Sequence, residues 1–510
     1  MRPVSTVTTN LAVALWQAAD RVPDRAALVH GDVETSWREM RRRVMSAAAH
    51  LRERGVGHGD RVVVQSRNRL SMFESIYACW TLGAVWTPVN FRLMPDDVAF
   101  IARQSGATLM LAEDVFADHA AATGLPVVDL GDEWEEMAGG DVVVEPATVD
   151  RDDPAWFFYT SGTTGRPKAG VLTHGQLQFV VTNHAADLMP GLSDRTDCSL
   201  VVAPLSHGAG LHQMVQVARG VTSVLLAGAR FDPAEVFALI ERHRVTNAFT
   251  VPTILKMLAE HPAAAEHDHS SLRHVVYAGA PMTRADQVRA LEVLGPCLVQ
   301  YYGMGEVSGN ITVLRADEHS PDDAIHPIGS CGVPRTGVDI SIRSSEGRER
   351  PTGEDGEVCV RGPAVFAGYH DNDAANAENF RDGWFRTGDL GHLDERGFLY
   401  LTGRASDMFI SGGSNIYPFE IEEHVARHPH VADCAVFGMP DETWGEIGVA
   451  AIVPRDGFDE AVFLAWLRER VARYKVPRRI ELFDALPTSG YGKVTKKLVR
   501  EAVEARDSAA

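Results

Sequence analysis

From about Arg61 to Tyr302 short apolar runs alternate with amphipathic helical patterns, and no other feature constrains the fold as much. Arg61–Gln65, Leu109–Ala112, Ser199–Pro204, Val224–Leu226, Ala248–Val251, His274–Ala278 and Cys297–Tyr301 read as strands, and Ala234–His243 and Arg284–Leu294 as helices. Strands joined through helices run in the same direction, so layered α/β sheets, largely parallel, are predicted. The acidic, glycine-containing stretch Gly131–Asp153 reads as a surface excursion.

The texture changes after Gly329. Glycine and proline become dense, and Val338–Arg343, Glu357–Arg361 and Gly397–Thr402 predict a β-rich subdomain over about 329–402. A second change near Gly403 opens a compact α+β pattern: a strand at Met408–Ile410, a helix from Pro418 to Arg427, strands at Ala432–Gly438 and Val449–Val453, and a helix from Glu460 to Arg473. The expected fold is therefore α/β: a large N-terminal domain over 1–403, a hinge at 404–407 and a small mobile α+β domain over 408–510. A chain of 510 residues is long enough for more than one core.

A net charge of −20 argues against general binding to nucleic acid or anionic membranes, which need a basic surface. No apolar stretch approaches the roughly 18 residues of a membrane span, and Leu11–Trp16 is too short for a signal peptide core. The six cysteines show neither zinc spacing nor a disulfide framework, so reduced thiols and a cytoplasmic setting are expected.

Chemistry concentrates in a few strings. Tyr159–Gly170 (Y-T-S-G-T-T-G-R-P-K-A-G) follows the strand-like Trp156–Tyr159. Its hydroxyl residues Tyr159, Thr160, Ser161, Thr163 and Thr164, with Gly162, Gly165 and Lys168, suit phosphate oxygens. The spacing is not that of a P-loop, and Pro167 bars a helix through Lys168. Ala203–Gly210 (A-P-L-S-H-G-A-G) sets His207 in a glycine-rich turn. Tyr277–Pro281 (Y-A-G-A-P), Gln300–Glu306 (Q-Y-Y-G-M-G-E), Trp384–Leu390 with Asp389, Leu401–Asp407 with Arg404, Ser411–Glu423 and Leu486–Arg500 with Lys493 follow in order.

That ordered set resembles the acyl-adenylate-forming superfamily, which holds acyl-CoA synthetases, luciferases and peptide-synthetase adenylation domains, and the resemblance covers essentially the whole chain. It implies an AMP-forming ligase that adenylates a carboxylic acid with ATP and Mg²⁺, then passes the acyl group to coenzyme A. By resemblance, Thr160, Ser161, Gly162, Thr163, Thr164, Gly165 and Lys168 hold the phosphates. Gly279, Ala280, Pro281, Tyr302 and Gly303 flank adenine, and Asp389 and Arg404 bind ribose. Glu306, with Thr164, takes the Mg²⁺, as a carboxylate suits a hard cation. His207 is an aromatic gate beside the carboxylate, and Lys493 is the catalytic lysine. Ser406 falls at the hinge, and Gly412 and Gly413 line the thiol tunnel. The sequence departs from the pattern at three places: Gly305 replaces the usual threonine, Ser406 stands where Lys or Asp is usual, and Thr488-Ser489 stand where Arg-Asn often follows the proline.

The acid pocket implied by the resemblance is His207, Ala209, Gly210, Leu211, Tyr277, Ala278, Gly279, Tyr301 and Met304. None is cationic, which disfavours a dicarboxylate. Tyr301 stands where many relatives have glycine, and a phenol there shortens a deep tunnel. An aryl or short-to-medium-chain monocarboxylic acid is therefore expected over a long fatty acid. The alternatives are a ligase that loads a carrier protein and a non-catalytic AMP or acyl-adenylate binder. A homodimer is compatible with the sequence, which does not fix the oligomeric state.

Overall fold

The computed structural model describes residues 7–161, 167–228, 230–404, 406–411, 414–441, 443–488 and 494–509. The chain forms two compact units, one of residues 1–282, 286–340 and 360–385, the other of 283–285, 341–359 and 386–510. The chain thus crosses between the units at several points, before the Gly403 change in texture.

Besides a small two-stranded pairing of Val7–Thr8 with Val149–Asp150, the first unit carries two large sheets. One is ordered Pro167–Thr173, Pro154–Ser161, Val85–Pro88, Arg61–Gln65, Leu109–Ala112, Val127–Asp129. All its neighbours are parallel except the first pair, an antiparallel ladder that sets Lys168 opposite Thr160. The larger sheet runs Val333–Pro334, Thr312–Leu314, Leu298–Tyr302, His274–Tyr277, Asn247–Thr250, Cys198–Val201, Thr222–Leu225, Ala26–His30, Val33–Ser36. Its six central strands are parallel and its edges antiparallel. The expected strands and helices all appear; three match to the residue and the others have ends shifted by up to five residues, the largest at the helix expected to reach Arg473, which ends at Arg468.

Side chains alternate across this larger sheet, as the two-residue strand repeat demands. Leu200, Ala248, Val275, Tyr277 and Leu298 enter one core with Phe237, Ala290 and Leu294 of flanking helices. Phe249, Val276, Ala278, Val299, Tyr301 and Val313 enter another with Ala209 and Val215. The stretch expected as a surface excursion is largely exposed and irregular over 141–148, but its first part is tied down. Residues 132–138 form a helix with Trp134 fully buried, its indole N–H donating to the buried Glu74 at 2.7 Å. Glu74 is in turn ion-paired to Arg43. The acidic composition concealed the single aromatic that anchors the segment.

In the second unit, Val431–Asp441 and Gly445–Pro454 pair antiparallel, Arg479–Leu482 joins the latter in parallel, and Phe409–Ser411 with Ser414–Ile416 extends the sheet. Val436, Ala450 and Ile452 pack under helices Pro418–Val425 and Glu460–Arg468. Ala435, Phe437, Val449 and Ala451 pack against Val499 and Val503 of helix Lys496–Ala509. Proline at the start of Pro418–Val425 fits the first helical turn, where its missing N–H costs nothing. Among the described residues, no helix is long and apolar enough to cross a membrane.

Candidate functional site

Parallel α/β sheets present ligand sites outside the carboxyl ends of their strands. His207 follows strand Cys198–Val201, Gly279 to Pro281 follow His274–Tyr277, and Tyr302 to Glu306 close Leu298–Tyr302. Three of the strings read from the sequence thus emerge at one edge of the larger sheet, on strands that are near neighbours.

Glu306 is the centre of a hydrogen-bonded group. It sits in the short helical turn Gly305–Val307 and is only 8% exposed. Its Oε1 accepts from the Tyr369 hydroxyl at 2.9 Å and from Thr160 Oγ1 at 3.2 Å. Lys168 Nζ lies 5.3 Å from the centroid of the Tyr369 ring. A bridge between Gly170 and Tyr369 holds the phenol beside this ladder. Burial pushes the Tyr369 hydroxyl up, and the charge of Glu306 and its hydrogen bond push it further, so it remains a donor. Nothing in the sequence marked Tyr369; only the register between distant strands brings it to Glu306.

The residues present suit a metal that is mostly held by substrate. Among the described residues no cluster of three or more His, Cys, Asp or Glu could cage an ion. One buried carboxylate whose second oxygen accepts no hydrogen bond among them fits Mg²⁺, which takes one or two carboxylates plus phosphates and waters.

His207 is the residue before helix Gly208–Arg219, with its Nδ1 2.8 Å from Ser206 Oγ and its ring edge-on to Phe158 at 5.6 Å. Tyr301 is 6% exposed and stacks on Phe249 at 5.9 Å, with His184 edge-on at the same separation. Ala209 and Ala278 share its core, while Gly210 and Leu211 are buried in the first turn of helix Gly208–Arg219 and Met304 is half-buried. Tyr277 departs from this set. It enters the core on the opposite face of the sheet, and its hydroxyl is engaged with Gln287, Gln300 and His319. Strand alternation is the reason: Ala278 and Tyr277 are consecutive and cannot both face one pocket.

Arg335 was not anticipated. Its side chain is fully buried, 3.7 Å from Asp187, and Nη2 donates to His184 Nδ1 at 3.2 Å, while among the described residues Nε and Nη1 have no acceptor. Burial pushes this guanidinium down to about 10 against the opposing pull of Asp187. The same charge counters the effect of burial that raises the Tyr301 phenol. Arg335 lies in a proline- and glycine-rich stretch, Gly332–Gly337, whose composition suggests only a turn.

In the second unit, Asp389 and Arg404 face each other across an antiparallel pair. Arg404 Nε donates to Asp389 Oδ1 at 2.9 Å, and the Asp389 backbone N–H donates to Thr387 Oγ1. Asp389 is 5% exposed, so its carboxylate is fixed in direction. Ser406 Oγ donates to Asp407 at 3.2 Å. Ser161 ends its strand opposite Pro167. Gly162, Thr163, Thr164, Gly165, Gly412, Gly413 and Lys493 lie outside the described residues.

Residues 15–370 match the AMP-binding enzyme family, and residues 420–493 match the AMP-binding enzyme C-terminal domain. Feruloyl-CoA synthase of Amycolatopsis sp. is 39% identical over 503 residues, covering 96% of this chain and 99% of that protein. Among solved structures, o-succinylbenzoate CoA synthetase from Bacillus subtilis in complex with its acyl-adenylate intermediate matches with a TM-score of 0.87 and 31% identity, over 98% of both chains. The same enzyme in complex with ATP and magnesium ion matches with a TM-score of 0.86 and 30% identity, over 97% of this chain and 100% of that one. The chain belongs to the AMP-binding enzyme family and, within that adenylate-forming group, to the AMP-forming acid–CoA ligases.

Proposed function

We propose that this ligase activates an aryl or short-to-medium-chain monocarboxylic acid, with ATP and Mg²⁺, and delivers the acyl group to coenzyme A. The observation that carries the catalytic reading is the convergence of Thr160, Lys168 and Tyr369 around the buried Glu306. The choice of acid rests on Tyr301, whose ring on Phe249 fills the core beside Ala209 and Ala278. The 39% identity to a feruloyl-CoA synthase agrees with an aryl acid.

A carboxylate is a poor acyl donor because oxide is a poor leaving group. Its oxygen attacks the α-phosphorus of ATP, pyrophosphate departs, and AMP becomes the leaving group of the mixed anhydride. Such a step is governed by positioning and charge neutralisation. Thr160 and Lys168, with Ser161 to Gly165, hold the β- and γ-phosphates, and Glu306 with Thr164 holds the Mg²⁺. Bound Mg²⁺ supplies further neutralisation of phosphate charge. Tyr369 keeps Glu306 oriented by donating to one of its oxygens. Lys493 bridges the carboxylate and the α-phosphate, and each well-placed donor contributes on the order of 3 kcal/mol to the transition state. Tyr302, with Gly279, Ala280, Pro281 and Gly303, flanks adenine; Asp389 and Arg404 take the ribose. Thiolysis follows after rotation about Ser406, a hinge motion that exchanges Lys493 for the thiol channel at Gly412 and Gly413.

Pyrophosphate release across a panel of acids, with and without coenzyme A, tests the reading in wild type and Lys493→Ala. The expected result is release that depends on one class of acid, rises with coenzyme A and collapses in the variant. Release that ignores coenzyme A but accompanies loading of a carrier protein would move the acceptor assignment. Nucleotide binding without release for any acid would leave only a binding function.

A further inference from the structure

Gly305, the departure from the family pattern, has a structural counterpart in Phe158. An ideal Cβ placed on Gly305 lies 2.6 Å from Cδ1 and 2.7 Å from Cε1 of Phe158, and 3.0 Å from Cγ2 of Thr160. Real Cβ atoms do not approach ring carbons that closely, so a side chain at 305 and the present ring at 158 exclude one another. Phe158 and Thr160 are alternate residues of one strand and share its face. That face is not sealed: Phe158 is half-buried, whereas its strand neighbours Phe157 and Tyr159 are buried. The ring reaches His207 edge-on at 5.6 Å and leans on Trp156 at 5.7 Å. It therefore spans from Thr160, a partner of Glu306, to His207, the residue that by resemblance flanks the acid's carboxylate.

We propose that Phe158 is a specificity-determining residue, its ring having taken the volume of the missing threonine side chain to form with His207 an aromatic wall beside the first carbons of the acid. Building on the ligase reading, this names the acid more closely. An aromatic wall of one ring edge-on to another favours a flat, conjugated partner, through the offset and edge contacts that aromatic groups make beyond simple burial. The preferred substrate is then an acid whose carboxylate is conjugated, an arylacrylic or benzoic type, over its saturated analogue. Phe158 also replaces a hydroxyl contact with an apolar one, which leaves the α-phosphate to backbone N–H groups and the Thr160–Lys168 string.

The test compares wild type, Phe158→Ala, Gly305→Thr and the double variant on a matched pair, an arylacrylic acid and the corresponding arylpropanoic acid. kcat/KM comes from pyrophosphate release, and melting temperature is recorded for all four proteins. Phe158→Ala should lower the arylacrylic-to-arylpropanoic ratio about 3- to 10-fold. Gly305→Thr alone should lose activity on both acids and melt lower, and adding Phe158→Ala should recover most of both losses. If Gly305→Thr does not fold, recovery of a folded protein in the double variant supports the exchange. An unchanged ratio in Phe158→Ala, or strictly additive melting shifts, overturns the proposal. Absence of release from wild type with every acid would instead sink the ligase reading, and the melting cycle would still decide whether residues 158 and 305 share one volume.

Discussion

Replacing Tyr301 with glycine should lengthen the acid that the enzyme prefers. The phenol is buried, stacked on Phe249, with the Gly309 backbone so close that a Cβ there would sit 2.6 Å from its Cε2. Its removal leaves a void that neighbours cannot easily refill, since Gly309 and Gly208 carry no side chains. A void the depth of about four methylenes, at ~0.8 kcal/mol each, amounts to ~3 kcal/mol, or about 10²-fold in relative kcat/KM for the longer acid. Part of that gain is offset because His184, edge-on to this ring, is hydrogen-bonded to the fully buried Arg335 guanidinium, so the deepened end would meet a polar wall. A shift of about 10-fold is therefore the minimum expected. The same guanidinium should make an ω-carboxylate of matching length a better substrate in the variant than in wild type. The structural cost is a cavity of ~3–5 kcal/mol, so melting is followed in parallel. The assay is direct competition between a short and a medium-chain acid, read as the ratio of acyl-CoA products. A folded variant with an unchanged product ratio would refute the assignment of Tyr301 as the end of the acid site.

Tyr369→Phe removes a donor to a charged acceptor, worth roughly 1.5–3 kcal/mol; adenylation should fall about 10-fold or more, and a Mg²⁺ titration of the rate should shift to higher concentration. Asp187→Ala leaves Arg335 buried without its counter-charge and should cost ~3–5 kcal/mol in denaturant melts, much of it regained in Asp187→Leu/Arg335→Met. Arg404→Ala should raise KM for ATP while leaving KM for the acid nearly unchanged if, as proposed, its partner Asp389 takes the ribose. Burial pushes His174 and His212 down to about 4. Both are neutral in the fold, and the unfolded chain takes up protons from about pH 6.5 downward. Their contribution is complete above pH ~6.5 and is lost toward pH 4, by up to ~1.4 kcal/mol per pH unit per group. His174→Asn, which keeps an acceptor for the Leu11 N–H, should flatten that slope in thermal melts.

The strands and most helices were legible because apolar runs of three to six residues between glycine and proline leave few alternatives. Arg61–Gln65, Leu109–Ala112 and helix Arg284–Leu294 match to the residue. What escaped depends on pairing between distant segments. Tyr369 meets Glu306 only through the bridge to Gly170. The resemblance put Tyr277 in the pocket, yet strand alternation turns it to the other core. Gly305 read as a lost hydroxyl; its reason lies in Phe158, nearly 150 positions earlier. Trp134 was hidden by its acidic neighbours. In each case composition described the segment correctly, and the third dimension supplied the partner.

The two donors on Glu306 are both uncharged, and among the described residues no cation lies within ion-pairing distance of it. The carboxylate is thus oriented but its charge is not cancelled. On the proposed reading of the site, bare ATP, with its four negative charges, would meet repulsion there, while a nucleotide already carrying its cation would meet attraction. The consequence is kinetic: the metal–nucleotide complex should load as one species, and excess free ATP should act as a weak competitor against it.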